Sequence, residues 1–316
     1  MLVLGIETSC DETSVAVVQD GRFILSQVIT SSLRFHKKYG GIIPEIASRQ
    51  HIEQIGFVMD NAIRQAGIKL KDINLIAVTE GPGLVNSLLV GISFAQALSF
   101  ALKKPLVSID HIQAHLYANF LEKPLDLPFI GLVISGGHTA LFLVKNFNQV
   151  KLLGTTLDDA CGEAFDKVAK ILGLGYPGGV AIENLVKNKK FKRINFSCGK
   201  EVRGLDFSFS GIKTAVLYYV RSQKSKARNQ ILDIAASFQE AVVDTLIEKS
   251  FLACKRYRIH KLVVGGGVAA NLRLRQRLAQ LEKETDIKVY IPAKILCTDN
   301  AAMVAGLGYQ LYVNRR

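Results

Sequence analysis

The sequence predicts an α/β fold that occurs twice along the chain, in an N-terminal and a C-terminal lobe. In segment 128–144 two apolar runs flank a polar turn, a pattern typical of two strands that are buried on both faces. Segment 2–18 repeats this pattern, and each segment continues with another polar turn and a third apolar run. Two β-hairpins that open two halves of one chain imply a duplicated architecture.

The two segments align residue by residue at one fixed offset. The aligned pairs are Gly5 with Gly131, Ile6 with Leu132, Thr13 with Thr139, Val15 with Leu141 and Val17 with Leu143. Facing loops from two such lobes would hold a phosphate-bearing ligand from both sides. This organisation resembles the duplicated two-lobe superfold of the actin/hexokinase/Hsp70-like (ASKHA) ATPases.

The chain of 316 residues is long enough for two lobes with separate cores, because single cores stop growing near 250–300 residues. We expect an N-terminal lobe at 1–126 and a C-terminal lobe at 127–316. A helical insertion is expected in the second lobe at about 158–258, and the last helix, at about 301–312, is expected to pack back on the first lobe.

Hydrophobic periodicity, together with the positions of glycine and proline, predicts the remaining helices and strands. Pro44 suits the first turn of a helix, and the Asp158 pair suits an N-cap. Gly173–Gly179 reads as a loop. The predicted elements are helices from Pro44 to about 66, at 85–102, after Asp110, at 158–172, at 235–257 and at 301–312, and strands at 75–79, 106–109, 261–264 and 289–291.

Bulk composition favours a soluble protein with a polyanionic partner. The net charge of +13 favours nucleic acid over a membrane, since no basic amphipathic helix is evident. The five cysteines form no CxxC pair and leave one over, which indicates reduced thiols. The N-terminus lacks the pattern of a signal peptide, and no apolar run reaches the roughly 18 residues of a membrane span. We therefore expect a cytoplasmic protein without a membrane partner.

Two glycine-rich turns are candidates for binding the two ends of a nucleotide. The first turn, 135–138, offers backbone N–H groups and hydroxyls to a phosphate or carboxylate, although an ordinary hairpin turn would explain its glycines as well. The second turn, 265–267, lies between a strand and a helix, as in nucleotide-binding loops. Asn271 follows it and either contacts ribose or base or simply caps the helix.

A pair of histidines predicts a metal site. His111 and His115 are four residues apart and would share one face of a helix, unless they are two unrelated polar residues. Asp299, at a strand-to-helix turn, is the candidate third ligand. Two histidines and one carboxylate leave positions open for a substrate, as a catalytic divalent metal requires. The segment HIQAH has no Glu after the first His, so it lacks the general base of an HExxH metalloprotease.

Several motifs together resemble the universal tRNA threonylcarbamoyladenosine transferase family, bacterial TsaD, formerly described as a glycoprotease or O-sialoglycoprotein endopeptidase family. The matching stretches are GIETSCDETS (5–14), YGGIIPEIASRQH (39–51), GPGL (81–84), ISGGHT (134–139), GEAFDK (162–167), YPGG (176–179), FSFSGIKTA (207–215), GGGVAANLRLR (265–275) and CTDNAAMVA (297–305). They cover the chain in order. One departure is HIQAH, where the family has Glu-Gly in the middle; both histidines are present.

The resemblance implies transfer of threonylcarbamoyl from threonylcarbamoyl-AMP to the exocyclic amine of adenosine 37 in tRNAs that read codons beginning with A. It implies that His111, His115 and Asp299 bind one divalent ion per subunit, iron(II) being expected and zinc or magnesium being alternatives. It also implies that the adenylate site is lined by Ile134, Ser135, Gly136, Gly137, His138, Asp166, Gly179, Glu183 and Asn271. Without the resemblance, the position of Asp166 inside a predicted helix would indicate a carboxylate that is solvated or paired with Lys170.

Two hypotheses concern residues outside these sets. Asp11 or Glu12, in the loop of the first hairpin, is the candidate that accepts the amine proton. The phosphates of tRNA would contact the charge run KNKKFKR and one further lysine, although such a run is usually a solvated face. The residues concerned are Lys187, Lys189, Lys190, Lys192, Arg193 and Lys213.

The resemblance also implies helper proteins, namely an inactive paralogue of TsaB type and a small ATPase of TsaE type. Three other functions fit part of the sequence. An ATP-hydrolysing kinase or chaperone of the same superfold fits the hairpins but has no need for the histidine pair. A metalloprotease lacks its Glu, and a non-catalytic scaffold for tRNA or proteins leaves the polar loops unexplained.

Overall fold

The computed structural model describes residues 1–199, 202–222 and 228–314. The chain divides into two compact units. Unit 1 combines Met1–Asp126 with Pro292–Arg316, and unit 2 consists of Leu127–Ile291. Each unit contains one five-stranded sheet with helices packed against it.

The described residues form strands and helices in the following order. The strands are β1 Leu2–Glu7, β2 Glu12–Gln19, β3 Phe23–Ser31, β4 Leu75–Gly81, β5 Leu106–Asp110, β6 Phe129–Ile134, β7 Thr139–Asn146, β8 Gln149–Thr155, β9 Lys261–Gly265 and β10 Lys288–Tyr290. The helices are α1 Leu33–His36, α2 Pro44–Gln65, α3 Val85–Leu102, α4 His111–Glu122, α5 Cys161–Leu172, α6 Gly178–Val186, α7 Ser210–Ser222, α8 Arg228–Tyr257, α9 Leu272–Glu284, α10 Lys294–Cys297 and α11 Ala301–Val313.

The two sheets have the same topology. Unit 1 has the strand order β3-β2-β1-β4-β5. Unit 2 has the order β8-β7-β6-β9-β10, so each strand has an equivalent at the same position in the other sheet. In each sheet the first two strands are antiparallel, and the first strand pairs in parallel with the fourth. The predicted duplication is confirmed.

The register of the two hairpins is also the same. Ile6 pairs with Val15 in unit 1, and Leu132 pairs with Leu141 in unit 2, as the fixed offset predicts. Nearly all apolar residues of these strands are buried, as is typical of strands covered on both faces, and only Leu2 and Phe142 are half-buried. The hairpins therefore hold their loops on rigid, two-sided cores.

Helix α11 completes the core of unit 1. It packs on β1, β2, β4 and α4, and its first eight residues are buried. Gly5 permits this approach, since a side chain there would clash with the carbonyl group of Ala301. The backbone N–H of Ala301 also donates to Ser14 Oγ at 3.0 Å.

Two predicted helices have different boundaries. Helix α5 begins at Cys161 rather than at Asp158, because the Asp158 carboxylate accepts hydrogen bonds from Phe209 N and Ser210 N, at the start of α7. Helix α8 begins at Arg228, seven residues before the predicted position. Helix α6 begins within the glycine-rich stretch that reads as a loop.

Helix α3 corrects the expectation that no apolar run has spanning length. Val85–Leu102 has 18 residues and a mean hydropathy of 1.6, so it is long and apolar enough to cross a membrane by those two measures alone. One such helix is weak evidence for a membrane. Within unit 1 it packs against α2 and β4 and buries Leu88, Gly91 and Ala95.

Candidate functional site

Unit 1 brings the three predicted metal ligands together. Helix α4 begins at His111 because the Asp110 side chain caps it, accepting from Gln113 N at 2.8 Å. His111 and His115 consequently lie one turn apart, with ring centroids 4.6 Å apart. Asp299 reaches them from the turn before α11, and one ligand atom of each residue lies within 4.8 Å of the others.

The cluster fits a divalent cation. Asp299 Oδ1 lies 3.1 Å from His115 Nε2 and 3.5 Å from His111 Nε2. His115 is fully buried, and neither of its ring nitrogens makes a hydrogen bond to any residue that the structure describes. A buried imidazole without hydrogen bonds is costly unless another species occupies its lone pair. Two imidazoles and a carboxylate are suitable ligands for iron or zinc.

Glu7 lies beside this cluster and was not predicted as a site residue. It ends β1 and is fully buried. Its carboxylate accepts hydrogen bonds from Ser9 N at 2.6 Å and from Thr79 Oγ1 at 2.6 Å, and it lies 3.1 Å from His111 Nδ1. An apolar strand carries no local signal that its last residue is a buried acid.

The acidic residues change the titration of their neighbours. Burial opposes the charged form of His111, but Asp299 and Glu7 raise the pKa of His111 to about 9. Burial likewise opposes ionisation of Glu7, yet the attraction of His111 holds the pKa of this carboxyl below its usual range. Without a metal the cluster therefore attracts a proton, and a metal ion has to compete with that proton.

Asp11 and Glu12 lie in and just after the loop of the first hairpin. Asp11 Oδ2 accepts a hydrogen bond from Ser31 Oγ at 3.1 Å. Burial first, and then the charges of Asp299 and Asp11, raise the pKa of Glu12 well above its ordinary value. A carboxyl with a raised pKa is better suited to accept and release a proton near neutral pH than an ordinary one.

In unit 2 the turn 135–138 is closed by its own backbone and by Ser135. Ser135 N donates to His138 O at 2.8 Å, and His138 N donates to Ser135 Oγ at 3.1 Å. Gly136 and Gly137 are exposed, neither has a positive φ, and a Cβ at either position would have no protein atom within 4 Å. The protein fold thus does not require glycine there.

The second glycine turn lies against the first. Gly266 has a φ of +94°, and a Cβ on it would come within 2.4 Å of the carbonyl oxygen of Ile134. The glycine at this position is therefore needed for the fold itself. Among the predicted adenylate residues, Ile134 and the 135–138 turn are consequently brought next to the strand-to-helix turn that precedes Asn271.

The remaining predicted adenylate residues cap helices. Asp166 Oδ1 accepts from Gly178 N at 2.6 Å at the start of α6, and Glu183 Oε2 accepts from Leu272 N at 2.6 Å at the start of α9. Asn271 Oδ1 accepts from Leu274 N at 3.0 Å. The prediction that Asp166 is either solvated or paired with Lys170 is corrected, because Asp166 holds the first turn of the next helix. Burial raises the pKa of this carboxyl.

A cavity of about 290 Å³ adjoins Glu183 in unit 2. Glu183, Gln239 and Leu272 line it, together with Lys187 and Arg273. The Asn271 side chain donates to Gln239 Oε1 at 3.0 Å and so supports the wall of this cavity. Near the start of α6, a Cβ placed on Gly179 would have no protein atom within 4 Å.

Comparison with known proteins identifies the family. The family model described as TsaD, tRNA N6-adenosine threonylcarbamoyltransferase, matches residues 23–306. The chain belongs to the TsaD family. The tRNA N6-adenosine threonylcarbamoyltransferase of Kosmotoga olearia is 51% identical over 315 residues, which cover 98% of this chain and 93% of the relative. The enzyme of the same name from Dictyoglomus turgidum is 52% identical over 314 residues, covering 99% and 94%.

Solved structures with low sequence identity share the fold of this TsaD family member. Full-length HypF has a TM-score of 0.65 at 14% identity, and the match covers 100% of this chain and 47% of that one. Component A of the (R)-2-hydroxyglutaryl-CoA dehydratase of Acidaminococcus fermentans has a TM-score of 0.60 at 16% identity, with 99% of each chain covered. These likenesses, together with the repeated sheet topology, confirm the predicted ASKHA-type α/β fold.

The basic residues predicted to contact tRNA have unequal surroundings in this TsaD chain. Arg193 forms an ion pair with Asp244 at 3.0 Å, and Lys213 forms one with Asp159 at 2.9 Å. Lys187 and Lys189 line the cavity of unit 2 instead. Because a neighbouring carboxylate partly neutralises them, Arg193 and Lys213 attract phosphate less strongly than cations without such a partner.

Proposed function

We propose that this chain transfers the threonylcarbamoyl group of threonylcarbamoyl-AMP to the exocyclic N6 amine of adenosine 37 in tRNAs that read codons beginning with A. The observation that carries the proposal is identity of about half over nearly the whole chain with enzymes named tRNA N6-adenosine threonylcarbamoyltransferase. The intact His111, His115 and Asp299 cluster supports it, because the departure from the family pattern in HIQAH leaves the ligand geometry in place.

The reaction forms one C–N bond and breaks one C–O bond. The amine nitrogen attacks the carbamoyl carbon, the bond from that carbon to the phosphate oxygen breaks, and AMP leaves. The amine loses one proton, which we assign to Asp11 or Glu12, since the raised pKa of Glu12 suits a proton acceptor.

The metal cluster would hold one divalent ion. We propose iron(II), with zinc and magnesium as alternatives, because two imidazoles and one carboxylate leave positions open. Such an ion supplies a Lewis acid that stabilises negative charge on a carbonyl or phosphate oxygen. The protein residues hold and orient it: α4 fixes the two imidazoles, and the turn before α11 fixes the carboxylate.

In unit 2, we assign the AMP part of the substrate to the turn 135–138 and to the helix starts around Gly179, Glu183 and Asn271. Exposed Gly136 and Gly137 support this assignment, because the fold itself leaves room for side chains there. Backbone N–H groups without a neighbouring Cβ can approach a phosphate closely. Asp166 would act by positioning Gly178 and the start of α6.

Further parts of the proposal are the lobes, partners and location. We assign 1–126 and the returning last helix to the first lobe, and the rest of 127–316, with a helical insertion at about 158–258, to the second. We propose a cytoplasmic location, because the proposed substrate is tRNA. Helper proteins of TsaB and TsaE type are proposed partners, as is usual for the family that the sequence resembles, and no membrane partner is proposed.

The decisive experiment follows radiolabelled threonine, supplied as preformed threonylcarbamoyl-AMP, onto tRNA. Wild type and the double variant His111→Ala/His115→Ala are compared with helper proteins present, and bound metal is measured in both. We expect label on tRNA with wild type only, and metal in wild type only. Transfer by both would keep the reaction and reduce the metal to a structural role. Steady ATP hydrolysis without transfer would favour a kinase-like activity of the same superfold.

The proton acceptor has its own test. Asp11→Ala and Glu12→Ala are measured in single turnover with both substrates prebound, so that changes in binding do not enter. We expect at least one variant to be slower by about 10²–10⁴-fold, the usual contribution of a general base. Full turnover by both variants would show that neither carboxyl takes the proton.

A further inference from the structure

The segment from Arg34 to Tyr39 in unit 1 is a surface of cations and aromatic rings. No acidic residue occurs from Gly21 to Pro44. Arg34, Lys37, Lys38 and Tyr39 are exposed, and none of these three cations forms an ion pair with a residue in the described part of the chain. Arg34 lies 4.6 Å from the centre of the Phe35 ring, and Lys38 lies 4.9 Å from that of Tyr39.

A buried histidine fixes this surface next to the loop that carries Asp11. His36 is fully buried, and its Nδ1 accepts from Ile43 N at 3.2 Å. Its Nε2 must then carry the proton, and it lies 2.9 Å from Ser32 Oγ. Ser32 Oγ in turn donates to the carbonyl oxygen of Asp11 at 3.0 Å. The exposed cations are therefore displayed on a short, anchored segment.

We propose that the Arg34–Tyr39 surface binds the anticodon arm of tRNA. Arg34, Lys37 and Lys38 contact phosphates, and Tyr39 stacks on an unpaired base. This inference rests on the proposed function. Cations beside an exposed ring suit single-stranded nucleic acid, because the charges follow the backbone while the ring accepts any base face. Arg193 and Lys213, by contrast, already have acidic partners.

The test measures the dissociation constant of tRNA against salt for four proteins. They are the wild type, Arg34→Gln/Lys37→Gln/Lys38→Gln, Tyr39→Leu, and the control Lys69→Gln/Lys71→Gln/Lys103→Gln. The control removes the same charge from exposed positions of unit 1. We expect the first triple variant to bind more weakly and to lower the salt slope by about 2–3, roughly 1 per phosphate contact. Tyr39→Leu should bind about tenfold more weakly with an unchanged slope.

The outcomes separate this inference from the proposed function. Suppose that the wild type binds and modifies tRNA, that both triple variants have the same affinity and salt slope, and that Tyr39→Leu keeps wild-type affinity. The tRNA-binding surface then lies elsewhere, and the proposed function is unaffected. If the wild type neither binds nor modifies tRNA in the presence of helper proteins, the proposed function itself fails. Weaker binding by the Arg34 triple variant alone supports the surface.

A second observation concerns Glu7. The duplicated hairpins align Glu7 with Val133. Both residues are fully buried, Glu7 as the last and Val133 as the second-last residue of a central strand, so an apolar side chain is sufficient for the fold at this place. Unit 1 nevertheless buries a carboxylate, and that carboxylate lies 3.1 Å from Nδ1 of His111, on the side of the ring away from Asp299.

We infer that Glu7 is a positioning residue for the metal site. Its carboxylate holds a proton on Nδ1 of His111, so that the Nε2 lone pair points at the position shared with His115 and Asp299. Carboxylate–histidine–metal arrangements of this kind orient the ring and increase its strength as a ligand. The hydrogen bonds from Ser9 N and Thr79 Oγ1 fix the carboxylate in turn.

The test measures metal binding rather than turnover. Apo wild type, Glu7→Gln and Glu7→Val are titrated with Zn²⁺ against a chromophoric chelator and with Co²⁺ by visible absorption. We expect the zinc dissociation constant to rise about 10–100-fold for each variant, with an altered cobalt spectrum. Thr79→Val is the comparison variant: it removes one partner of the carboxylate but keeps the carboxylate itself and its bond from Ser9 N, so we expect a smaller loss of zinc affinity than in either Glu7 variant.

A purely structural role would give a different pattern. Thr79→Val would then weaken zinc binding as much as Glu7→Gln, or Glu7→Gln would keep both the wild-type affinity and the cobalt spectrum. Either result overturns the assignment. Should Glu7→Gln not fold, Glu7→Val decides the question, because unit 2 folds with valine in the aligned position.

Discussion

The two aligned hairpins end in loops that are held in different ways. In unit 1 the loop 8–11 packs on the start of α3, where Leu84 N donates to Ser9 O at 2.8 Å and Thr8 Oγ1 donates to Ser87 O at 2.9 Å. In unit 2 Ser135 and His138 close the turn 135–138, and its backbone hydrogen bond to a helix comes from Gly162 N, which donates to Ser135 O at 3.1 Å. A Cβ on Gly136 or Gly137 would meet no protein atom within 4 Å. Strand register is the same in both, so the fold leaves the chemistry of the loop free to vary.

The difference makes the two copies chemically suited to different ligands. The unit 1 copy places buried carboxylate and imidazole groups where a cation can be held. The unit 2 copy offers backbone donors without side chains, which suits an anion. A duplicated fold can therefore give one copy a cation to bind and the other an anion. Two predictions test this comparison and a third tests a helix cap of unit 2, from the largest expected effect to the smallest.

The largest effect is expected when the buried acid is moved to the other copy. Val133→Glu places a carboxylate in unit 2 without the hydroxyl, amide and imidazole partners that Glu7 has in unit 1. We expect a loss of about 4 kcal/mol in the free energy of unfolding, as for other unpaired buried charges. Urea denaturation measures it, with Val133→Leu as control. Equal stability of the Glu and Leu variants would contradict the claim that the second copy has no place for an acid.

A middle-sized effect is expected at Gly137. Gly137→Ala should leave the thermal midpoint unchanged, because a Cβ there meets no protein atom within 4 Å. Affinity for AMP, measured by calorimetry, should fall about tenfold, or about 1.4 kcal/mol, if the backbone approaches the phosphate. Gly56→Ala, the same change in open space on α2, is the control. Unchanged affinity for AMP in Gly137→Ala would leave the turn without a ligand-binding role.

The smallest effect is expected at Asp158. Although burial opposes its ionisation, hydrogen bonds from Ser208 and Ser210 hold the pKa of Asp158 below its ordinary value of 3.8. The stabilisation is therefore complete above pH 3.8 and is lost as the pH falls below it. Asp158→Asn should cost about 1 kcal/mol at pH 7 through weaker capping of α7. The difference from wild type should shrink in acid; a difference independent of pH would contradict the capping role.

Much of the fold was predictable because its determinants are local. Alternating apolar runs and glycine breaks predicted the strands, and helix α3 was predicted with its observed bounds, Val85–Leu102. The fixed offset predicted a register that the strands reproduce. The histidine pair was predictable for the same reason, since four residues is one helical turn.

The rest depended on tertiary contacts that a local pattern does not contain. Asp158 lies before one helix in sequence but caps another about 50 residues later, so an N-cap preference alone assigned it wrongly. Asp166 and Glu183 likewise bond to backbone N–H groups of later helices. Glu7 was missed because it ends an apolar strand; its only signal was a polar residue where the aligned copy has Val133.

The position of Asp299 has a consequence for how the protein is made on the ribosome. Unit 2 is one uninterrupted stretch, so it can fold as soon as it leaves the exit tunnel. His111 and His115 emerge before that stretch, whereas Asp299 and α11 emerge after it. During translation β1 is synthesised before α11, the helix that covers it. The imidazoles of His111 and His115 are likewise synthesised before the carboxylate of Asp299. The cluster of His111, His115 and Asp299 is therefore complete only after Asp299 has been synthesised, and a nascent chain stalled before that residue lacks the carboxylate of the cluster.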